Sequence, residues 1–590
     1  MFTSMVPANR AKIFLLSVSM LVWPLPALVV AQPLVLAAAT PSAASQAEEG
    51  LRRQEERNRE LQQRLQPQSD VLQPEKSSPI SNVLPTETRC FVIHEIELQG
   101  TDASRFRWLL DVTRPFLNQC IGVKGLHRIV ENLDTRLIES GYATTRASLP
   151  EQNLKQGKLD IELNVGRVQT VRMVQAGSHP QKTDQGWGTW RNAVPIRDGD
   201  ILNIRDLEQG MEQMKRLPSQ SVITRIEPGT DPGTSVVLIQ RQPDTWRDRI
   251  RGGFSLDNSG SQAMRRAQFS GYMALDNALG LNDILSLSLS SNAQQIETNH
   301  RNQSITLNYS IPWGYSTFSL SASHNRFAQQ VQGTTTQFLS SGSSDSATFR
   351  WDYTAWRSAS AKAGWYVGLS NRSAHSYLDD VELVVQRSHT TNLETGVTYR
   401  QLFGHASLDL SLGYRRGVPW MGAQDDFATA AAGGLTMRPR LWILNAAYNQ
   451  PLHIGGRAVQ YVFSLHAQQT HDTTLSIDQI AIGNRYTVRG FNGDSVLLAE
   501  SGYYVRNELA TPMTTIAGWN TAAFVDLDFG RVWGPSAAYL IGDKLAGTAL
   551  GVRAQLHGWQ FEVAVAAPVY APKGFQAAPI APYISLTYGF

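Results

Sequence analysis

The chain contains 590 residues and carries a formal net charge of +3 at pH 7. This length exceeds what a single hydrophobic core usually serves, so we expect several folded units. The small net charge excludes a strongly basic protein, and no nucleic acid is predicted as a partner.

Residues 1–31 have the pattern of a secretory signal peptide. Arg10 and Lys12 supply the positive start, an apolar stretch covers residues 13–30, and Ala31 completes a plausible cleavage site. No later segment has the roughly 18 uninterrupted apolar residues of a membrane-spanning helix. A membrane protein without such helices must be a closed barrel, because lipid leaves no other way to satisfy backbone polar groups.

The polar segment at residues 46–66 predicts a helix. Glu48 and Arg52 are spaced i,i+4 with the acid first, and three further acid–base pairs repeat that helix-supporting arrangement. Its few leucines cannot bury it in a dry core. Two interpretations stay open, a plug lying in a water-filled lumen or a solvated helix outside any domain. Residues 67–88, with four prolines, predict a flexible or extended linker.

Two small α+β modules of about 75 residues each are predicted in tandem. The first, residues 89–166, begins with a strand at 91–98, has helical spacing at 126–140 and closes with a strand. The second, residues 167–243, repeats this order with a helix at 204–216. An insertion at 178–195 distinguishes the second module from the first.

The only two cysteines, Cys90 and Cys120, both fall within the first module. A cysteine pair without neighbouring histidines is a poor metal site, so we predict a disulfide that closes a loop of about 30 residues. Such a bond indicates an oxidising compartment. Neither a metal site nor a cofactor is predicted elsewhere in the chain.

From residue 248 to 590 the pattern changes to long strands with one apolar face. Leucines alternate with serines over residues 285–290, and the same two-residue period recurs at 461–467 and 559–566. One apolar face and one small or polar face, repeated many times, predict a membrane β-barrel with a wet interior. About 340 residues, at about 21 per strand and connection, predict about 16 antiparallel strands.

The last eight residues support a closed barrel. Ile584, Leu586, Tyr588 and Phe590 share one face of a strand that ends on an aromatic residue. Such an edge would be sticky in water, whereas a barrel pairs its last strand with its first. The predicted fold class is therefore a membrane β-barrel preceded by two α+β modules and an N-terminal plug helix.

The tandem modules and two sequence strings carry a family resemblance. The strings are FSLDNSG at residues 254–260 and DNALGLND at residues 276–283. With the modules, they resemble the TpsB outer-membrane transporters of two-partner secretion, the ShlB/FhaC/HecB-like haemolysin secretion/activation proteins, which are related to BamA. The resemblance covers nearly everything after residue 31. It implies that the modules are POTRA domains, that the barrel has 16 strands, and that a helix plugs the pore at rest.

The most specific string is the run Val488, Arg489, Gly490 and Phe491. It is similar to the family's VRGF/Y motif, which lies at the tip of a long loop folded back into the lumen. A guanidinium in such a cavity is costly unless it is paired, so Arg489 is expected to have a carboxylate partner.

Two acidic residues are candidates for that partner. Asp526 and Asp528 alternate with apolar neighbours over residues 524–530, so both are expected to face the lumen. Asp528 and Gly530 reproduce the family's Asp-x-Gly spacing. Asp526 stands where the family usually has phenylalanine or glycine, which leaves the choice of partner open, with Asp528 favoured.

The resemblance implies a transporter in the outer membrane of a Gram-negative bacterium. Its periplasmic POTRA domains would recognise a large secreted partner protein, a haemolysin, an adhesin or a contact-dependent toxin, and the barrel would export it unfolded. The helix at 204–216 and the strand after it are the best candidates for binding that client by β-augmentation. Outer-membrane lipid would surround the barrel, and the barrel assembly machinery would recognise Phe590.

The alternative function is that of a BamA-like assembly protein that inserts other barrels at its own seam. Two modules rather than more, the polar helix at 46–66 and the string in the first barrel strand favour export. An enzyme is not expected, because the sequence suggests neither a catalytic triad nor a phosphate-binding loop.

Overall fold

The computed structural model describes residues 72, 82–176, 186–242, 245–263, 265–294, 299–332 and 336–590. The predicted signal peptide at 1–31 and the predicted plug helix at 46–66 lie outside the described residues, as does most of the linker at 67–88. No helix among the described residues is both long enough and apolar enough to span a membrane.

The first module is an α+β unit built around the helix Val123–Glu139. Its three-stranded sheet places Lys158–Asn164 between the parallel strand Glu95–Gln99 and the antiparallel strand Arg146–Ser148. Ile129, Leu133 and Leu137 recur at helical spacing and are buried against this sheet. The remaining elements are the strands Phe91–Ile93 and Gln119–Ile121, the α-helix Leu110–Thr113 and the 3₁₀ helices Ala103–Leu109, Arg114–Phe116 and Leu154–Gln156.

Local chemistry explains where the long helix of this module ends. Gly141 follows the helix with φ of +96°, a left-handed conformation that glycine adopts without strain. Its neighbour Tyr142 donates its backbone N–H to the carbonyl of Leu137, 2.8 Å away. In the same module, Cys90 and Cys120 are disulfide-bonded with their Cα atoms 5.2 Å apart. Cys120 lies in the strand Gln119–Ile121, and Cys90 directly precedes the strand Phe91–Ile93 with which that strand pairs.

The second module repeats the same plan. The strand Thr234–Arg241 lies between the parallel strand Arg167–Gln175 and the antiparallel strand Val222–Pro228. The helix Ile204–Lys215 begins after Asn203, whose side-chain oxygen accepts a hydrogen bond from the backbone N–H of Arg205. The buried side chains of Leu207, Met211, Met214, Val237 and Ile239 form its core.

Among the described residues, sixteen long antiparallel strands form a closed barrel, which confirms the predicted barrel of about 16 strands after two α+β modules. They are, in order, Ile250–Asp257, Gln268–Asp276, Ile284–Asn292, Arg301–Trp313, Ser316–Gln332, Gln337–Arg357, Ala361–Leu378, Ser388–Phe403, Ala406–Gly417, Arg440–Ile454, Arg457–Gln469, Ser501–Pro512, Asn520–Trp533, Lys544–Leu556, Trp559–Tyr570 and Ala581–Gly589. The connections contain the short strands Val381–Glu382, Leu435–Thr436, Thr473–Thr474, Ile480–Ile482 and Leu497–Ala499, and the 3₁₀ helices Val384–Gln386, Ala430–Ala432, Ser476–Asp478 and Pro535–Tyr539.

The two faces of the barrel wall have opposite character. Large apolar side chains are exposed on the outer face, including Leu320, Phe349, Trp442 and Leu550, the last of them 65% exposed. A water-soluble protein rarely exposes so much apolar surface, whereas a lipid-facing wall requires it. The inner face of the second to fifth strands carries mainly serine, threonine, asparagine and glutamine, as a wet lumen requires.

The barrel closes where its last strand pairs with its first. Residues 585–589 pair with residues 253–257, the shortest pairing between neighbouring long strands of the barrel. Beyond it, the side chain of Asn258 continues the seam by donating to the carbonyl of Pro582 and accepting from the backbone N–H of Ile584, at 2.8 and 3.0 Å. The seam is therefore closed partly by a side chain.

Candidate functional site

The connection between the eleventh and twelfth strands, residues 470–500, folds against the inner wall of the barrel. Within it, Ile480–Ile482 and Leu497–Ala499 pair as an antiparallel hairpin. The chain turns sharply after the first of these strands, because the side-chain oxygen of Asn484 accepts hydrogen bonds from the backbone N–H groups of Tyr486 and Thr487. This turn leads directly into residues 488–491, which we call the VRGF segment.

Apolar packing anchors the VRGF segment to the wall. Val488 and Phe491 are buried in a cluster with Ile480, Ile482, Leu497, Ala499 and the barrel residues Val532 and Leu545. The ring of Phe491 also meets the edge of Phe575, which lies between the last two strands, at a centroid distance of 5.7 Å. Because Val488 before Arg489 and Phe491 after it are both packed, the backbone of the loop determines where Arg489 lies.

Arg489 forms a two-pronged ion pair with Asp528 of the thirteenth strand. Its Nε atom lies 2.7 Å from Oδ2 of Asp528, and its Nη2 atom lies 2.8 Å from Oδ1. The backbone N–H of Arg489 donates to the same carboxylate at 3.0 Å. The carboxylate is fully enclosed, and this planar geometry is the one in which arginine binds a carboxylate most strongly.

Two further carboxylates approach the same guanidinium. Nη1 of Arg489 lies 2.7 Å from Oδ2 of Asp526 and 3.1 Å from Oε2 of Glu508, a residue of the twelfth strand. The structure therefore brings Arg489 to both acids named from the sequence. The hydrogen-bonded, bidentate contact is with Asp528, and Asp526 makes a single close ion-pair contact.

The site interrupts the hydrogen-bond ladder between the twelfth and thirteenth strands. Direct pairing stops after Val505 with Phe529 and resumes at Glu508 with Asp526. Between them, the backbone N–H of Asn507 donates to Oδ1 of Asp528 at 3.1 Å, and the carbonyl of Asn507 accepts from Nη2 of Arg489 at 3.3 Å. The ion pair thus replaces part of the wall's own hydrogen bonding.

Glycines allow the loop to approach the wall this closely. A side chain at Gly530 would meet Val488 and Ile482 at 2.9 Å, which explains the glycine in the Asp-x-Gly sequence. Gly490 has φ of +116°, and a Cβ there would meet the carbonyl oxygen of Ala567 at 2.6 Å. Its N–H donates to the hydroxyl of Tyr583 in the last strand at 3.1 Å, so the loop is also fastened beside the seam.

The sequence interpretation missed a chain of charges around this site. Arg553 of the fourteenth strand donates to both carboxylate oxygens of Glu508 and, through Nε, to Glu562 at 2.8 Å. Glu562 also lies 3.4 Å from Nη2 of Arg485, in the loop before the VRGF segment. The sequence did contain a signal for this chain of charges, because strand alternation puts Glu508, Arg553 and Glu562 on inward positions. Their pairing required the register of four strands.

The second module docks against the barrel strands at one mouth of the barrel. Its helix points Gln209 and Gln213 at the carbonyl of Gly314, at 3.3 and 3.2 Å. Arg357, whose side chain is only 1% exposed, lies 2.8 Å from Glu212 of the helix, and Lys362 binds the same carboxylate at 2.6 Å. The helix is thus covered by its own sheet on one face and by the barrel on another.

Further contacts come from the insertion between the first strand and the helix of the second module. The indole N–H of Trp187 donates to the carbonyl of Asn277 at 2.7 Å. The side-chain amide of Asn192 donates to the carbonyls of Leu281 and Pro312. Asn282 in turn donates to Asn192. These partners explain why the string at residues 276–283 is rich in asparagine and glycine, since it forms a turn that holds the module.

Fold and site together define a membrane β-barrel that carries two small α+β modules at one mouth and a charged loop in its lumen. The family model described as haemolysin secretion/activation protein ShlB/FhaC/HecB matches residues 233–554. A ShlB-type POTRA domain matches residues 91–166, and a POTRA domain matches residues 168–228. The chain therefore belongs to the ShlB/FhaC/HecB family, the outer-membrane transporters of two-partner secretion.

Individual relatives agree with this assignment. The chain is 37% identical over 542 residues to the outer membrane transporter CdiB-2 of Burkholderia pseudomallei strain 1026b, covering 88% of this chain and 89% of the relative. The solved structure of CdiB from Escherichia coli matches with a TM-score of 0.80 at 26% identity, over 94% of this chain and all of that one. CdiB from Acinetobacter baumannii matches with a TM-score of 0.79 at 25% identity, over 92% and 99% of the two chains.

These matches place the barrel in the outer membrane and the POTRA domains in the periplasm. They also favour the transporter function over the BamA-like alternative, because the named relatives are transporters.

Proposed function

We propose that this protein exports a large secreted partner protein, which its POTRA domains capture unfolded in the periplasm. The observation that carries the proposal is a shared cavity of about 660 Å³, lined both by the helix of the second module and by the inner wall of the barrel. A chain released by the module would therefore enter the lumen without crossing lipid. Folding outside the cell would supply the driving force, since no nucleotide is available at this membrane.

The exposed strand of the second module supports the capture step. Val222–Pro228 pairs with one neighbour only among the described residues, and Ile223 and Ile226 are exposed on it. A free strand edge binds an extended client through main-chain hydrogen bonds with little sequence selectivity. The sequence predicted client binding by both the helix at 204–216 and the strand after it. The helix is in contact with the barrel, so we retain only the strand edge as the proposed binding site.

Secretion of a candidate partner, a large secreted protein taken from the reading frame beside this gene, tests the proposal. In a heterologous Gram-negative host, we expect the partner to reach the medium only when this chain is present, and to stay in the periplasm otherwise. Equal secretion with and without this chain would exclude an exporter. The same cells should assemble their other barrel proteins normally, and a loss of those proteins would instead support a BamA-like insertase.

We further propose that the helix predicted at residues 46–66 plugs the lumen at rest. The inward-facing positions of the second to fourth strands carry hydroxyl groups, including those of Ser270, Ser290, Ser304 and Thr306, which suit a polar helix better than an apolar one. Deleting residues 46–66 should raise single-channel conductance in planar bilayers several-fold and leave secretion largely intact. An unchanged conductance would contradict a plug and favour the solvated helix.

Two remaining partners are part of the proposal. Phe590 ends the last strand and is 66% exposed on the outer face, where the barrel assembly machinery would reach it. The apolar outer wall would be covered by outer-membrane lipid. No catalytic role is proposed, since the family is one of transporters.

A further inference from the structure

The cavity shared by the second module and the barrel, which we call the vestibule, has neutral, hydrogen-bonding walls. The barrel contributes mainly serine and threonine side chains from its third to sixth strands, among them Ser286, Ser288, Ser310, Thr317, Ser319 and Ser321. The module contributes Gln209, Glu212, Gln213 and Arg216 from its helix and the residue after it. A surface of hydroxyls and amides binds main-chain groups and does not select a particular side chain.

Most charged groups in the vestibule neutralise one another. Glu212 is bound by Arg357 and Lys362. Arg350 forms a bidentate pair with Asp352 on the same strand. Arg251 of the first strand forms a second bidentate pair, with Asp276 of the second strand. These pairs leave little net charge to attract an ionic ligand.

Arg216 is the exception in this arrangement. Its Nη2 atom donates to the hydroxyl of Ser310 at 2.6 Å, a neutral acceptor, and none of the described residues forms a salt bridge with it. Its Nη1 atom is buried and donates to no acceptor among the described residues. Burial lowers the pKa of Arg216 to about 10, so the group remains cationic at neutral pH. Arg216 therefore keeps a guanidinium donor beside the cavity that the described residues do not use, and a carbonyl oxygen of a bound chain would be a suitable acceptor for it.

We infer that the vestibule binds an extended polypeptide on its way into the barrel, and that Arg216 anchors a main-chain carbonyl of that polypeptide. This inference rests on the proposed export function and adds the entry site. An extended chain presents carbonyls on both sides, and hydroxyl-lined walls let it slide when it is released. A single charged donor, Arg216, among neutral hydrogen-bonding groups binds the polypeptide weakly enough for it to be released.

A binding measurement on the purified full-length protein in detergent tests this site. The probe is a fluorescent 20-residue peptide of serine, asparagine and glycine, acetylated and amidated so that it carries no terminal charge. We expect Arg216→Gln to weaken binding about tenfold, the range of a hydrogen bond to a charged group, and Arg216→Lys to retain most of it. Lys215→Gln, the same charge change one position earlier, serves as the matched control and should bind like the parent.

Crosslinking locates the peptide independently of affinity. A photoreactive residue at Ser319 should capture the probe, whereas one at His466, in a separate lumen cavity, should capture much less. Equal binding by Arg216→Gln, or capture at His466 alone, would overturn the vestibule as the entry site while leaving export intact. Competition by inorganic phosphate without any peptide binding would show an anion site only and would also overturn it. Failure of the parent chain to secrete its partner would instead reject the export function itself.

Discussion

Replacing Arg489 with alanine should reduce secretion of the partner protein at least tenfold while the barrel still inserts in the outer membrane. The substitution leaves Asp528, Asp526 and Glu508 facing one another without their shared cation. Breaking a buried ion pair from one side is expected to destabilise the local structure by about 3–5 kcal/mol. The loop would then be held less firmly on the wall, because the hydrogen bond from Arg489 to the carbonyl of Asn507 is lost at the same time while the apolar packing of Val488 and Phe491 remains.

The two acids allow a finer test of the same site. Asp528→Asn removes the bidentate acceptor and weakens contacts to Arg489 and to the backbone of Asn507, so we expect a loss close to that of Arg489→Ala. Asp526→Asn removes one ion-pair contact and should have a smaller effect. Arg489→Lys should not restore secretion, because an ammonium group cannot form the planar two-pronged pair.

Arg531→Ala is the matched control for these variants. Arg531 lies on the thirteenth strand, which also carries Asp526 and Asp528. It forms a single ion pair with Asp543, and both side chains are well exposed, so its loss should change secretion little. Secreted partner in the medium, normalised to folded barrel in the membrane, is the quantity to measure. Normal secretion by Arg489→Ala would remove the loop from the export mechanism, and an equal defect in Arg531→Ala would show that the assay reports barrel stability alone.

Replacing Arg357 with alanine should release the second POTRA domain from the barrel mouth and reduce secretion severalfold or more. Arg357 donates to Gln209 and Glu212 of the module's helix and lies 3.7 Å from Glu208. Its removal leaves the partly buried carboxylates of Glu208 and Glu212 with Arg205 and Lys362 as their remaining ion-pair partners among the described residues. The vestibule would then open to the periplasm, and captured clients would no longer be directed into the lumen.

Limited proteolysis distinguishes this effect from unfolding. In Arg357→Ala, cleavage between the module and the first barrel strand should accelerate, while the barrel itself stays resistant. Arg387→Ala, which removes an exposed arginine paired with Glu382 in the connection between the seventh and eighth strands, is the matched control. Unchanged cleavage and unchanged secretion in Arg357→Ala would show that the insertion contacts at Trp187 and Asn192 hold the module without this ion pair.

Much of the architecture was predictable from local pattern. Alternation of apolar and small residues predicts barrel strands, because a strand between lipid and water must present one face to each. Helical spacing of Ile129, Leu133 and Leu137 predicted the long helix of the first module, which the structure shows at Val123–Glu139. Arg489, Asp526 and Asp528 were identified through strings that resemble the family's motifs, and the cost of an unpaired charge explains why the arginine requires an acid on an inward position.

The remaining features depend on contacts between distant parts of the chain. Strand register brings three lumen residues into one network of ion pairs, namely Glu508, Arg553 and Glu562. Nothing in the sequence distinguishes them from other inward-facing residues. Arg357 ends a barrel strand and gives no sign of its role, since its partner Glu212 lies 145 residues earlier. Arg216 was expected only as the end of a helix, and its unusual position follows from docking of the module.

The amino-acid sequence by itself determined the barrel and the tandem modules, because those features arise from periodicity. The lumen loop and its acids were predicted from strings that resemble the family's motifs, and the cost of an unpaired charge explains their acid–base character. Tertiary structure alone decided which acids share Arg489, how the second module closes the barrel mouth and where Arg216 lies. Those outcomes depend on strand register and on rigid-body docking, and no single segment encodes either of them.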